Sequence, residues 1–228
     1  MSQADHSRSI RSFVVRGGRI TPAQQRALKE LWPRYGVEFA PQLLDLDALF
    51  ARRAARVIEI GFGNGENLAA LARENPDRDY LGIEVHPPGV GRLLLSLESL
   101  ALSNVRVSSH DAVEVLAHQI PPRSLDEILI LFPDPWPKKR HHKRRLVQQG
   151  FADLMAERMK PGGLLQLATD WRPYAEHLLE VLNARPLLEN VAASAGFVPR
   201  DPRRAATRFE RRGERLGHDV WELAYRKR

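Results

Sequence analysis

"RVIEIGFGNGENLAALARE", residues 56–74, changes period in its middle. Val57, Ile58 and Ile60 make an apolar, β-branched run that reads as a buried strand. Gly61, Gly63 and Gly65 then alternate through a turn, and "ENLAALARE" places its apolar residues at helical spacing. A strand that passes through a glycine turn directly into a helix is the opening unit of a βαβ fold.

The same alternation repeats on the C-terminal side of that stretch. "DYLGIEV" (79–85), "NVRVSS" (104–109), "LDEILILF" (125–132) and "GLLQLAT" (163–169) read as strands, with helical segments such as "VGRLLLSLESLAL" (90–102) between them. Near-continuous apolar strands separated by helices predict an α/β fold: a doubly wound, mostly parallel sheet of the Rossmann-like kind, covered on both faces. The closing "HDVWELAYRKR" (218–228) alternates apolar and polar residues, and is expected to finish the sheet as an antiparallel edge strand. Such sheets bind ligands past the C-terminal ends of their strands.

The first fifty residues differ in character. "RSIRSFVVRGGRIT" (8–21) spaces arginines around a glycine pair and suits a basic arm. "TPAQQRALKELW" (21–32) reads as a short helix, with Thr21 as its N-cap and Pro22 in its first position. The expected organisation is therefore an N-terminal basic arm with its helix, 1–50, and one domain, 51–228.

Composition narrows the partners. Among 228 residues, 35 Lys plus Arg face 28 Asp plus Glu, a net charge of +7 that favours a polyanionic partner, nucleic acid first. The absence of cysteine excludes disulfides, thiolate catalysis and cysteine-ligated zinc. His141 and His142 lie among cations that repel a metal, so no metal site is expected. No apolar run approaches bilayer-spanning length and "MSQADHSRSIRSF" lacks a signal-peptide core, so a cytoplasmic protein with no membrane partner is expected.

The strand ends carry acids. A dinucleotide fingerprint would need glycine at position 66, which is Glu66, and Glu59 and Glu66 put negative charge on both sides of the turn. A pyrophosphate is disfavoured there, whereas a cationic adenosyl ligand such as S-adenosylmethionine fits. Glu84, nineteen positions after Gly65, is placed to accept both ribose hydroxyls, and Asp111 to approach the adenine amino group. Each has a plainer alternative: Glu84 a solvent-facing strand end, Asp111 a helix N-cap before "AVEVL".

After the fourth strand comes "LFPDPWPKKRHHKRR" (131–145). Pro133, Pro135 and Pro137 each fix a backbone φ and stiffen the loop around Asp134, at the edge where the cofactor is expected. Trp136 offers a flat face to an extruded base or packs as a structural tryptophan. Lys138, Lys139, Arg140, Lys143, Arg144 and Arg145 are expected to contact phosphates; the plainer alternative is a solvated charged face.

"EIGFGNG", "GIEVH", "HDA", "FPDPWPKKRHHKRR", "ATDW" and "TRFERRGERLGHDVWEL" stand in order and together resemble the bacterial tRNA (guanine-N7)-methyltransferases. The proline-rich basic string is far more specific than the glycine turn. The resemblance implies a class I methyltransferase fold, S-adenosylmethionine as donor, and methylation of N7 of a variable-loop guanine in tRNA. It assigns Glu59, Glu84, Asp111 and Asp134 to the cofactor side, with Asp134 also catalytic. It places Lys138, Asp170, Thr207, Arg208, Phe209 and Glu210 around the substrate guanine. Arg208, where the family more often carries lysine, and Ala206, where proline is common, are departures that remove no charge. A monomer is expected rather than a homodimer.

The chemistry fits these residue types. Guanine N7 has an in-plane lone pair and no proton, so it needs no general base; alignment and stabilisation of the positive charge that develops on the purine carry the rate. An arginine fork on O6 and N7 would occupy the attacking lone pair, so acids such as Asp134, Asp170 or Glu210 should hold the base by its N1–H and N2–H2 edge. A small-molecule methyltransferase leaves the basic loop unexplained. A noncatalytic RNA-binding module leaves the strand-end acids unexplained.

Overall fold

The computed structural model describes Phe13, residues 18–204, Glu210 and residues 219–228. Most of the proposed basic arm, including Arg8, Arg11 and Arg16, lies outside the described residues.

Thr21 caps helix α1 (Pro22–Glu30) as expected: its hydroxyl accepts from the Gln24 amide, and Gln24 Oε1 accepts from the Thr21 amide at 2.9 Å. Helix α2 (Trp32–Tyr35), the two-residue strand β1 (Gly36–Val37) and helix α3 (Leu46–Phe50) follow. Strand and helix then alternate through β2 (Ala55–Ile60), α4 (Glu66–Glu74), β3 (Arg78–Ile83), α5 (Pro87–Ser99), β4 (Val105–Ser108), α6 (Ala112–His118) and β5 (Leu125–Leu131). The basic stretch after β5 closes into a 3-10 helix, Lys139–Arg144. Helix α7 (Gln149–Arg158), β6 (Met159–Thr169), α8 (Arg172–Asn183), β7 (Leu188–Asn190) and β8 (Trp221–Lys227) complete the described elements.

The strands form one sheet in the order β1-β4-β3-β2-β5-β6-β8-β7. The first six in that order pair in parallel, and β8 runs antiparallel to both β6 and β7. The C-terminal strand is thus antiparallel as expected, but it is not the edge. Short β7 lies outside it, because the chain returns beside β8 after α8 through a three-residue segment with too little pattern to be read as a strand. At the opposite edge, β1 brings Gly36 and Val37, from the expected N-terminal unit, into the same sheet.

Period-two alternation divides the core. Ile58, Ile60, Ile128, Ile130, Leu165 and Leu167 face one side, where residues of α6, α7 and α8 cover them. Val57, Tyr80 and Leu129 face the other, against α1, α4 and α5. That second side changes chemistry over β5, β6 and β8, where Glu127, Gln166 and Glu222 meet a non-helical segment carrying Arg203 and Arg204. Because β2 to β6 are parallel, their C-terminal ends share one edge.

Candidate functional site

Four strand ends enclose a cavity of about 360 Å3 at that edge. Ile60, Gly61 and Gly63 line it at the end of β2; Ile83, Glu84, Val85 and His86 at the end of β3; His110 and Ala112 after β4; Leu131, Phe132, Pro133 and Asp134 at the end of β5. Phe13 and Leu146 complete the wall.

The glycines divide their work. Gly61 (φ +72°) and Gly63 (φ +59°) adopt the left-handed conformation, and a Cβ on either would meet no protein atom within 4 Å. They leave bare backbone at the cavity wall. Gly65 shares that conformation (φ +75°) and is constrained by packing as well, since its Cβ would stand 2.6 Å from the Leu93 side chain.

Glu84 is held by the turn. Its carboxylate accepts from the Gly63 amide at 2.9 Å, the Val85 amide at 2.7 Å and the His86 amide at 3.0 Å. Three of about four lone-pair positions are thereby used, which leaves room for one further donor at the cavity wall. Asp111 does what the plainer alternative describes: it caps α6, accepting from the Val113 amide at 2.8 Å, while its neighbours His110 and Ala112 line the cavity.

Glu59 does not line the cavity. It points from β2 toward α4, where Asn67 Nδ2 donates to it at 2.9 Å, and it is buried. That burial pushes its carboxyl up to about 7, against the smaller lowering effects of the Asn67 hydrogen bond and the Arg204 charge.

Asp134 stands exposed on the rim, in a loop under conformational constraint. Phe132 (φ +52°) and Trp136 (φ +45°) occupy the left-handed region on either side of Pro133, Asp134 and Pro135. Outside glycine this conformation costs roughly 1–2 kcal/mol per residue, so surrounding contacts must hold it. Phe132 donates its amide to the Ala168 carbonyl at 2.8 Å. Trp136 lies under the Arg144 guanidinium, 4.2 Å from its ring centroid, with His141 edge-on at 5.9 Å. Burial, then the surrounding Arg140, Arg144, Lys138 and Lys143 charges, hold His141 below the ordinary histidine value.

The cationic string is not uniform. Lys138, Lys139, Arg140 and Lys143 are exposed. Arg145, expected among the phosphate contacts, is only 4% exposed and does other work. It donates from Nε to the Pro135 carbonyl at 3.0 Å and from Nη2 to His142 Nε2 at 3.1 Å, with its guanidinium over the Tyr174 ring. Arg145 therefore braces the Asp134 loop from behind, and burial removes it from the phosphate-facing set.

Asp170 follows β6 at the same sheet edge, beside the 41% exposed Trp171. Thr207, Arg208 and Phe209 lie outside the described residues. Glu210 is 1% exposed, accepting from Arg204 at 2.6 and 2.7 Å and from Arg200 at 2.8 Å. The expectation that Glu210 holds the guanine edge is corrected to this extent: its carboxylate is committed to two arginines.

Sequence reading missed His110, stacked on Phe39 at 3.8 Å and bonded to Glu114 at 2.5 Å, and His86 on the β3 side of the cavity. His110 adjoins Asp111 in "HDA", but a lone histidine has no period to mark it. Arg204 carried no motif signal either.

A glycine turn, strand-end acids and a cavity at the C-terminal edge of a mostly parallel sheet define a class I methyltransferase. Solved structures agree on the fold: the 16S rRNA methyltransferase KamB superposes with a TM-score of 0.54 at 17% identity, over 86% of this chain and 99% of its own. A Streptococcus mutans protein described as "a putative methyltransferase", solved with S-adenosylhomocysteine, gives 0.52 at 11% identity, over 77% of this chain and 90% of its own. The family model described as "Putative methyltransferase" matches residues 53–223. The tRNA (guanine-N(7)-)-methyltransferase of Alkalilimnicola ehrlichii is 59% identical over 227 residues, 99% of this chain and 95% of that protein. That of Leifsonia xyli subsp. xyli is 57% identical over 216 residues, 95% of each chain. The chain belongs to the tRNA (guanine-N7)-methyltransferase family.

Proposed function

We propose that this protein transfers the methyl group of S-adenosylmethionine to N7 of a variable-loop guanine in tRNA, acting in the cytoplasm. One observation carries the reading: a single loop joins the adenosyl-sized cavity, through Phe132 to Asp134, to the exposed cations that begin at Lys138.

The residues present suit the donor. Gly61 and Gly63 offer backbone where a Cβ would intrude, and Glu84 keeps acceptor capacity for a ribose hydroxyl. The donor supplies a methyl group bonded to a positively charged sulfur. Asp134 accepts from the guanine N1–H and N2–H2 edge and so orients N7, while its charge stabilises the cation that forms on the purine. No side chain takes a proton from N7, which has none. Phe132, Pro133 and Leu146 keep that end of the cavity apolar and exclude water. Lys138, Lys139, Arg140 and Lys143 contact phosphates around the target base, and Trp136, clamped by Arg144, presents a flat surface to it.

The test is to incubate the protein with methyl-labelled S-adenosylmethionine and tRNA transcript, digest the RNA, and identify the labelled nucleoside. Label in 7-methylguanosine is expected. Label in another nucleoside, or only in small molecules, refutes the reading.

A further inference from the structure

Over β5, β6 and β8 the described residues place a buried ion cluster on one sheet face, and Arg204 is at its centre. It is 5% exposed. Its guanidinium donates to Glu210 at 2.6 and 2.7 Å and to Glu222 of β8 at 2.7 Å. Glu222 in turn accepts from the Asp201 amide at 3.0 Å, which anchors the approach to Arg204 on the sheet. On its other side, the same guanidinium lies 5.6 Å from the centroid of the Phe132 ring.

Phe132 is the left-handed residue two positions before Asp134, so whatever fixes its ring fixes the direction in which the loop leaves β5. We propose that Arg204 is a positioning residue for methyl transfer, its one buried guanidinium fixing together the Phe132 ring at the root of the Asp134 loop and the Glu210 carboxylate of the C-terminal segment. The inference rests on the proposed activity and deepens it: Glu210 serves the reaction through Arg204, and the two sides of the guanine site share one anchor. Arginine is required because a planar fork can engage two carboxylates and an aromatic face simultaneously, whereas lysine is a compact point charge.

The experiment uses the full chain. Arg204→Lys keeps a buried cation opposite Glu210 and Glu222, avoiding the uncompensated carboxylates that a neutral residue would leave. Melting temperature, S-adenosylhomocysteine affinity, tRNA KM and the single-turnover rate at saturating donor and tRNA are measured beside wild type. The expected result is a rate at least tenfold lower, with the S-adenosylhomocysteine Kd and tRNA KM within about threefold. A smaller loss of rate, or a loss that appears in Kd, KM or melting temperature alone, overturns the proposal, because a purely structural residue would give that pattern. Should Arg204→Lys fail to fold, Phe132→Leu removes the ring while leaving the ion cluster intact, and the same criterion applies to it. Wild-type protein that methylates no tRNA would defeat the proposed activity itself, a separate outcome visible before any variant is made.

Discussion

At the scale of single residues, two buried or constrained acids have opposite assignments. Asp134 is exposed, yet both of its flanking prolines and two left-handed neighbours fix its place. Asp134→Ala should lower turnover by about a hundredfold or more, in the range seen when one preorganised electrostatic group is removed, with tRNA affinity changed only a few-fold. Substantial turnover in that variant would remove the carboxylate from the reaction. Glu59 is the reverse case, a carboxyl inside the protein whose value rises from 4.5 to about 7 on folding. A raised acid stabilises the fold in its neutral form: the contribution is complete below pH 4.5 and is lost as pH rises through about 7. The span corresponds to a few kcal/mol, on the order of 3. Glu59→Gln should therefore melt higher than wild type at pH 8, with the difference shrinking toward zero at pH 4.5. Parallel melting curves across that range would show that Glu59 is not driven to neutrality by burial.

At the scale of the element, the stretch from Phe132 to Arg145 is one device with two faces. Arg145 points inward and holds the loop, and Arg144 covers one face of the half-buried Trp136; Lys139, Arg140 and Lys143 point outward. Replacing Arg140 and Lys143 together by alanine should weaken tRNA binding and reduce the salt dependence of log Kd by about 1.5 to 2, one counterion's worth per lost phosphate contact. Arg145→Ala should leave that slope unchanged and lower turnover, since it frees the Pro135 carbonyl and the loop behind Asp134. A salt titration of both variants separates the roles, and a reduced slope in Arg145→Ala would restore it to the phosphate-facing set. This division was not legible in the sequence. "KKRHHKRR" has no period to tell an inward arginine from an outward one, because a 3-10 turn of six residues is too short to show it. The strands from β2 to β6 were legible because apolar β-branched runs and glycine turns leave strong local signals. The three residues of β7 leave none.

At the scale of the whole molecule, binding and stability meet at the sheet edge. Strand ends of β2, β3, β4 and β5 supply the cavity wall, so a ligand there bridges elements that meet only through the sheet. The sequence disclosed which edge this would be, since parallel strands place their C-terminal ends together. It did not disclose that the far face over β5, β6 and β8 is closed by Arg203, Arg204, Glu127 and Glu222, because contacts between residues so distant in the chain have no local pattern. A ligand that binds only the folded protein raises stability by about 2.7 kcal/mol at one hundred times its Kd. For a chain of this length that is a melting rise of roughly 5–10 °C with S-adenosylhomocysteine. Gly63→Ala separates this from general stability. Its left-handed φ makes alanine unfavourable by roughly 1–2 kcal/mol, a fall of a few degrees without ligand, yet the new Cβ meets no protein atom. That Cβ enters open space at the cavity wall, so the ligand-induced rise should drop below about 3 °C at the same concentration. If Gly63→Ala keeps the full rise, the donor does not lie against this turn, and the cavity between the strand ends is not its site.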